Sequence, residues 1–144
     1  MKISTRGRYA LRIMVDLAEH KEEGYIPLKA MSERQNISLK YVESIMSSLS
    51  KAGLVDAKNG KSGGYRLNRK PEDYHLDEIL IVTEGDLAPV ECLSCEINTC
   101  KRKDNCKTLP MWKEFYKVIS DYFKSISLSS LLTNDDHYYF GDGI

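Results

Sequence analysis

Ser38-Leu39-Lys40-Tyr41-Val42-Glu43-Ser44-Ile45-Met46-Ser47-Ser48-Leu49-Ser50-Lys51-Ala52-Gly53-Leu54-Val55-Asp56-Ala57-Lys58-Asn59-Gly60-Lys61-Ser62-Gly63-Gly64-Tyr65-Arg66-Leu67 decides the fold. Ser38 is a good helix cap, and Leu39, Val42, Ile45, Met46 and Leu49 recur at helical spacing as one buried stripe. The opposite face carries Lys40, Tyr41, Glu43, Ser44, Ser47, Ser48 and Lys51. Its short polar side chains allow a close approach to a groove and still offer hydrogen bonds. Gly53 suits a left-handed helix exit. Leu54 to Lys58 then alternates as a strand does. Asn59-Gly60 is a strong hairpin signal, and Tyr65-Arg66-Leu67 is the returning strand.

Working outward, Pro27 opens a short helix from Leu28 to Arg34, and Gln35-Asn36 makes the tight turn before Ser38. Upstream, Tyr9, Ala10, Ile13, Met14, Leu17 and Ala18 give an apolar stripe to a first helix from Ser4 to about His20. Helix, helix-turn-helix and a basic, glycine-rich hairpin together make a winged helix-turn-helix. The fold class is mainly α with a small β-hairpin wing.

Downstream, Pro71 breaks the chain and Leu76 to Glu84 reads as a short helix. From about Thr108 a long helix begins. Trp112, Phe115, Tyr116, Ile119, Tyr122, Phe123 and Ile126 recur close to every 3.5 residues, a seam for another helix. In a chain of 144 residues such a seam predicts a homodimer through a long dimerisation helix. Ser127 to Leu132 is a short final helix. The expected organisation is a DNA-binding domain over 1–70, a connecting helix and cysteine loop over 71–107, dimerisation and final helices over 108–132, and a polar, mobile tail over 133–144.

The net charge of zero hides an asymmetry: residues 1–70 hold 14 Lys+Arg against 7 Asp+Glu, and residues 71–144 hold 7 against 14. A basic first half suits a polyanion such as double-stranded DNA. No apolar run is long enough to span a bilayer, and no apolar signal core follows Met1. The expected location is cytoplasmic, with no membrane partner.

All four cysteines lie in one stretch, Glu91-Cys92-Leu93-Ser94-Cys95-Glu96-Ile97-Asn98-Thr99-Cys100-Lys101-Arg102-Lys103-Asp104-Asn105-Cys106-Lys107. Clustered thiols in a reducing compartment favour metal or redox chemistry over structural disulfides. Four thiolates suit an iron–sulfur cluster or zinc equally well on spacing alone. Lys101, Arg102, Lys103 and Lys107 favour the thiolate form and help balance the charge of a thiolate-bound cluster. No catalytic constellation is visible: His20, His75 and His137 are dispersed. Cys92-Leu93-Ser94-Cys95 has the spacing of a redox motif, but it opens no helix after a strand, so the chain does not read as an enzyme.

The start Met1-Lys2-Ile3-Ser4-Thr5-Arg6-Gly7-Arg8-Tyr9-Ala10-Leu11-Arg12 closely resembles the family of bacterial regulators that includes IscR, NsrR and CymR. So do Pro27-Leu28, Ile37 to Glu43, Ala52-Gly53-Leu54-Val55 and Gly63-Gly64-Tyr65. The resemblance runs from Met1 to about Leu132. It implies a dimeric winged-helix transcription factor, several of whose relatives sense iron–sulfur cluster status, redox state or nitric oxide through an iron–sulfur cluster in the loop before the long helix. Cluster-binding members carry three cysteines there, and Cys92, Cys100 and Cys106 match them best. Either a 2Fe–2S or a 4Fe–4S cluster fits the resemblance. The fourth ligand stays open. The best-known arrangement has a histidine where this chain has Leu109. NsrR-like members draw an acidic residue from the partner subunit, where this chain has Arg8. Cys95 is the local candidate. A cluster-free regulator of cysteine and sulfur metabolism, acting through thiols or a protein partner, is the alternative.

For DNA, the third helix is expected in the major groove with Ser38, Lys40, Tyr41, Glu43 and Ser44 at base edges. Lys58, Asn59, Gly60 and Lys61 form the wing tip, where relatives often carry an arginine. Lys2, Arg6 and Arg8 are expected phosphate contacts. Two modules related by dimer symmetry call for an imperfect palindrome as operator.

Overall fold

The computed structural model describes residues 1–133, so the tail expected to be mobile lies outside the described residues from Asn134 onward. Helix α1 runs Thr5–Glu19. It begins where Ser4 is extended and its hydroxyl accepts the Gly7 N–H at 3.0 Å. That bond satisfies one of the amide donors that a helix start leaves unpaired. Helix α2 runs Leu28–Gln35 behind Pro27 and ends at Asn36, whose left-handed backbone (φ 53°) turns the chain. Helix α3 runs Leu39–Lys51, and the Ser38 hydroxyl accepts the Tyr41 N–H at 3.3 Å.

The stripes of α1 and α3 face each other. Ala10, Ile13, Met14 and Leu17 from α1 and Val42, Ile45, Met46 and Leu49 from α3 are all essentially inaccessible to solvent. One expectation fails here: Leu39 is 49% exposed rather than buried. It sits in the first turn of α3, one turn before Val42, and the core closes at Val42. Asp16 is the single buried charge among the described residues. The Arg34 fork donates to its two carboxylate oxygens at 2.9 and 2.7 Å, and Gln35 Nε2 donates at 3.0 Å. This ties α1 to the end of α2, immediately before the turn.

Strands β1 (Val55–Lys58) and β2 (Gly64–Leu67) pair antiparallel, Val55 opposite Leu67 and Lys58 opposite Gly64. Ile26 adds a pairing absent from the sequence reading: it exchanges backbone hydrogen bonds with Tyr65 at 2.8 and 2.9 Å. Gly64 is required there, because a Cβ would lie 2.1 Å from the Ile26 carbonyl oxygen.

The core does not stop at residue 70. Tyr74, Leu76 and Ile79 join it, as do Ile126 and Leu128 from the far end of the chain. The Tyr74 hydroxyl donates to the Leu54 carbonyl at 2.8 Å and accepts the Asn68 N–H at 2.9 Å. Helix α4 runs Leu76–Glu84 and α5 runs Leu109–Ser125. The Leu76 N–H donates to Ile126 O, and the Leu128 N–H to Tyr74 O, so the exit of α5 is pinned beside the entry of α4. The short final helix is a single 3-10 turn, Ser129–Leu131.

Candidate nucleic-acid interface and cysteine loop

The turn before α3 leaves Ser38, Lys40, Glu43 and Ser44 exposed on one face of its first two turns. Ser38, Lys40, Tyr41 and Ser44 line a shallow notch. Tyr41 is only half exposed: its ring packs edge-on against Tyr9 at 5.6 Å between centroids and leans on the core. At the wing, Lys58, Asn59, Gly60 and Lys61 are all exposed. The Lys58 ammonium and the Arg66 guanidinium lie 5.5 and 4.5 Å from the Tyr25 ring centre. Tyr25 therefore props the positive charges of the wing, a role with no signature in the sequence.

The N-terminal segment is more engaged than its charge suggests. Lys2 and Arg8 are exposed, and Arg8 Nη2 donates to Thr5 Oγ1 at 3.0 Å. Arg6 does not point away from the protein. Its Nη1 donates to Ser44 Oγ at 2.9 Å, and its Nη2 to Ser44 O at 3.1 Å and Ser48 Oγ at 2.7 Å. Behind it, Glu84 at the end of α4 accepts from the Ser4 hydroxyl at 2.5 Å and the Ser4 N–H at 3.3 Å. A carboxylate at a helix N-terminus is well placed electrostatically. Gly7 makes room for it, since a Cβ there would stand 2.2 Å from Glu84 Oε1.

Between α4 and α5 the chain makes only short 3-10 turns, Glu91–Leu93 and Lys103–Asn105. All four cysteines are free thiols, Cys95 and Cys100 exposed, Cys92 and Cys106 partly so. Cys100 is the common member of two neighbouring hollows. One, of about 340 Å³, it shares with Cys92; the other, of about 490 Å³, with Cys106, Arg102 and Lys107. Cys95 lines neither. Among the described residues no three His, Cys, Asp or Glu side chains already stand as a metal-binding group. The donors fit a soft metal centre in kind, and the loop has to close further to bind one. The Thr108 hydroxyl, 3.4 Å from Cys106 Sγ, holds that thiol below its ordinary range, with help from the Thr108 and Leu109 amides and Arg102.

The described face of α5 divides in two. Ile126 just beyond its end is buried, and Tyr122 and Phe123 pack on the core. Met111, Phe115 and Val118 are 52%, 43% and 50% exposed, and Ile81 of α4 is 46% exposed. The expected seam had included Phe115 but neither Met111 nor Val118. Their spacing of four and three residues was the available signal.

A model of the Rrf2 family, described as an iron-dependent transcriptional regulator, matches residues 3–134. The chain belongs to the Rrf2 family. It is 37% identical over 136 residues to the HTH-type transcriptional regulator IscR of Aliivibrio salmonicida, covering 94% of this chain and 80% of that one. Among solved structures, T. potens IscR is 34% identical, with a TM-score of 0.70 and coverage of 99% and 94%. CymR, the global cysteine regulator of B. subtilis, is 32% identical, with a TM-score of 0.74 and coverage of 92% and 96%. The winged-helix regulator architecture expected from the sequence is thus established, and the chain is a DNA-binding transcriptional regulator rather than an enzyme. No helix among the described residues is long and apolar enough to cross a membrane. Within this Rrf2 chain, the Arg6 bridge to α3, the Glu84 brace and the Tyr25 prop are what the sequence reading missed.

Proposed function

We propose that this Rrf2 protein is a cytoplasmic homodimer that reads an imperfect palindrome with two copies of α3 and adjusts its affinity through an iron–sulfur cluster on the cysteine loop. Cys92, Cys100 and Cys106 hold the cluster, as 2Fe–2S or 4Fe–4S, and Cys95 is the local candidate for a fourth ligand. The observation that carries this reading is the convergence on Cys100. It shares one hollow with Cys92 and another with Cys106, in a basic loop that feeds directly into α5. The bound cluster would supply redox and nitric-oxide sensitivity. The protein's part is to gather the thiolates and to transmit the loop's arrangement to α4 and α5. Ser38, Lys40, Tyr41, Glu43 and Ser44 face the bases. Lys58, Asn59, Gly60 and Lys61, with Lys2 and Arg8, track the backbone, where phosphate contacts position and base contacts specify.

The dimer is supported by Met111, Phe115 and Val118, a run of apolar side chains on α5 open to solvent in a single chain. An Ile119→Asp change sets a charge in that seam, and sedimentation should then show dissociation or loss of fold.

The test of the cluster is preparation without oxygen. The protein should be coloured and carry iron with acid-labile sulfide. A colourless protein holding one tight zinc per chain would replace the cluster with a structural metal. The second reading, a cluster-free thiol regulator, draws on the free, partly exposed thiols and on the likeness to CymR. It predicts neither metal, with operator affinity changing on thiol oxidation alone.

A further inference from the structure

A serine facing the major groove is normally an indifferent reader, because its hydroxyl can both donate and accept and so suits any base edge. Ser44 is not in that position. Arg6 Nη1 donates to its Oγ at 2.9 Å, and Nη2 donates to its backbone carbonyl at 3.1 Å. The second arm of the fork also reaches Ser48 Oγ at 2.7 Å, and Ser48 Oγ donates to Ser44 O at 3.3 Å. One lone pair of the Ser44 hydroxyl is therefore filled by a cationic donor. A hydroxyl so loaded is a weaker acceptor, and its own O–H is polarised into a stronger donor. That O–H has no partner among the described residues, while Ser44 remains exposed at the notch that it shares with Ser38, Lys40 and Tyr41.

We propose that Arg6 is a specificity-setting, positioning residue: it fixes Ser44 as a hydrogen-bond donor toward the major groove, and does so without touching a base itself. The proposal rests on the reading that α3 enters the major groove, and it concerns which chemistry Ser44 contributes there. A committed donor selects acceptor edges, guanine N7 and O6, thymine O4 or adenine N7, and turns away the amino group of cytosine. Arg6 is thereby largely withdrawn from phosphate binding. The geometry explains why a guanidinium stands here, since its planar fork spans Ser44 and Ser48 together in a way that a single ammonium does not.

The experiment selects preferred sites from randomised duplex DNA with the full-length protein, then measures affinities for single-base variants of the winning site. Wild-type protein should show one position per half-site where a base with an acceptor edge outcompetes cytosine by about five- to tenfold, the worth of roughly one hydrogen bond. Ser44→Ala should flatten that position. Arg6→Met, which keeps an apolar stem but no donor, should flatten the same position and leave the others intact. Arg6→Met combined with Ser44→Ala should do no more there than Ser44→Ala alone. If Arg6→Met melts before it can be assayed, Arg6→Gln also removes the fork. A uniform loss of affinity across all duplexes with a shallower salt dependence would make Arg6 a phosphate contact and overturn the proposal. Preferences unchanged by Ser44→Ala, Lys40→Ala and Glu43→Ala alike would instead show that α3 does not read bases. That would sink the underlying reading, and the proposal with it.

Discussion

From Ser4 to Glu84, side chains reach across the sequence for their partners: Ser4 to Glu84, Arg6 to Ser44 and Ser48, Asp16 to Arg34, Tyr74 to Leu54. Between Asp86 and Leu109 the hydrogen bonds among the described residues run between residues two or three apart, such as Cys100 N–H to Asn98 Oδ1 and Lys103 N–H to Cys100 O. Ile97 in that stretch is 75% exposed. Long-range bonds fix one arrangement, because breaking any of them undoes closure already achieved. Local bonds are remade at little cost when a loop changes shape, so such segments open with low free energy. The reading region is held to one geometry, and the cysteine region is left free to gather around something.

The largest effect should come from the seam where the two meet. Leu128 is fully buried and its N–H is bonded to Tyr74 O, locking the exit of α5 to the winged core. Leu128→Ala should cost about 2–5 kcal/mol in denaturant unfolding. A cost well below 1 kcal/mol would mean that α5 is not welded to the reading region and would dissolve the contrast.

Asp16 comes next. Burial alone would raise its pKa, but the hydrogen bonds from Arg34 and Gln35, together with the charge of Arg34, hold it below the ordinary 3.8. A carboxylate depressed in the folded state contributes stability that is fully present above its unfolded pKa. That contribution is lost as pH falls through the folded pKa. The winged core should therefore loosen in acid, below about pH 4. Arg34→Met strands the buried carboxylate and should cost about 2–3 kcal/mol at neutral pH. It should also move acid unfolding to higher pH, as followed by circular dichroism. An unchanged acid midpoint would show that Asp16 is not a determinant of the turn.

Gly7→Ala tests the brace from α4. With a Cβ only 2.2 Å from Glu84 Oε1, the carboxylate must leave the start of α1. That carboxylate is the end of a flexible side chain, so the cost is the loss of its bonds to Ser4, about 1–2 kcal/mol, offset in part by the higher helix propensity of alanine. If Gly7→Ala adds no further loss to Glu84→Ala in the double variant, displacement of the brace is the cause; additive losses would place it elsewhere.

How much of this was legible follows from the same contrast. The helices, the hairpin and the order that makes a winged helix were readable, because stripes such as Ala10-Ile13-Met14-Leu17 and turns such as Asn59-Gly60 are local signals. The expectation that Leu39 is buried failed because periodicity does not say where along a helix the core ends. The Arg6 bridge and the Glu84 brace join residues 38 and 80 apart in sequence, and no local pattern marks them. Likewise the seven-residue seam read from α5 did not separate Ile126, buried within the chain, from Phe115, which faces solvent.

The smallest structural effect, and the one that sharpens the site, belongs to the cysteines. Replacing any one of them by alanine in metal-free protein should leave the thermal midpoint of the winged core unmoved, because their loop carries no long-range hydrogen bond to the other described residues. Iron retention should separate them. Cys92→Ala, Cys100→Ala and Cys106→Ala should each abolish it, with Cys100 central because it borders both of the other two. Cys95 is exposed and lines neither hollow, so Cys95→Ala should retain most of the iron measured after anaerobic reconstitution. If Cys95→Ala loses iron as completely as Cys100→Ala, then Cys95 is the fourth ligand. The loop must in that case fold back on itself between Cys92 and Cys100 when it binds, and the hollows of the metal-free loop do not foreshadow the bound one. That result would leave the reading region as described and make the pliability of the cysteine region larger still.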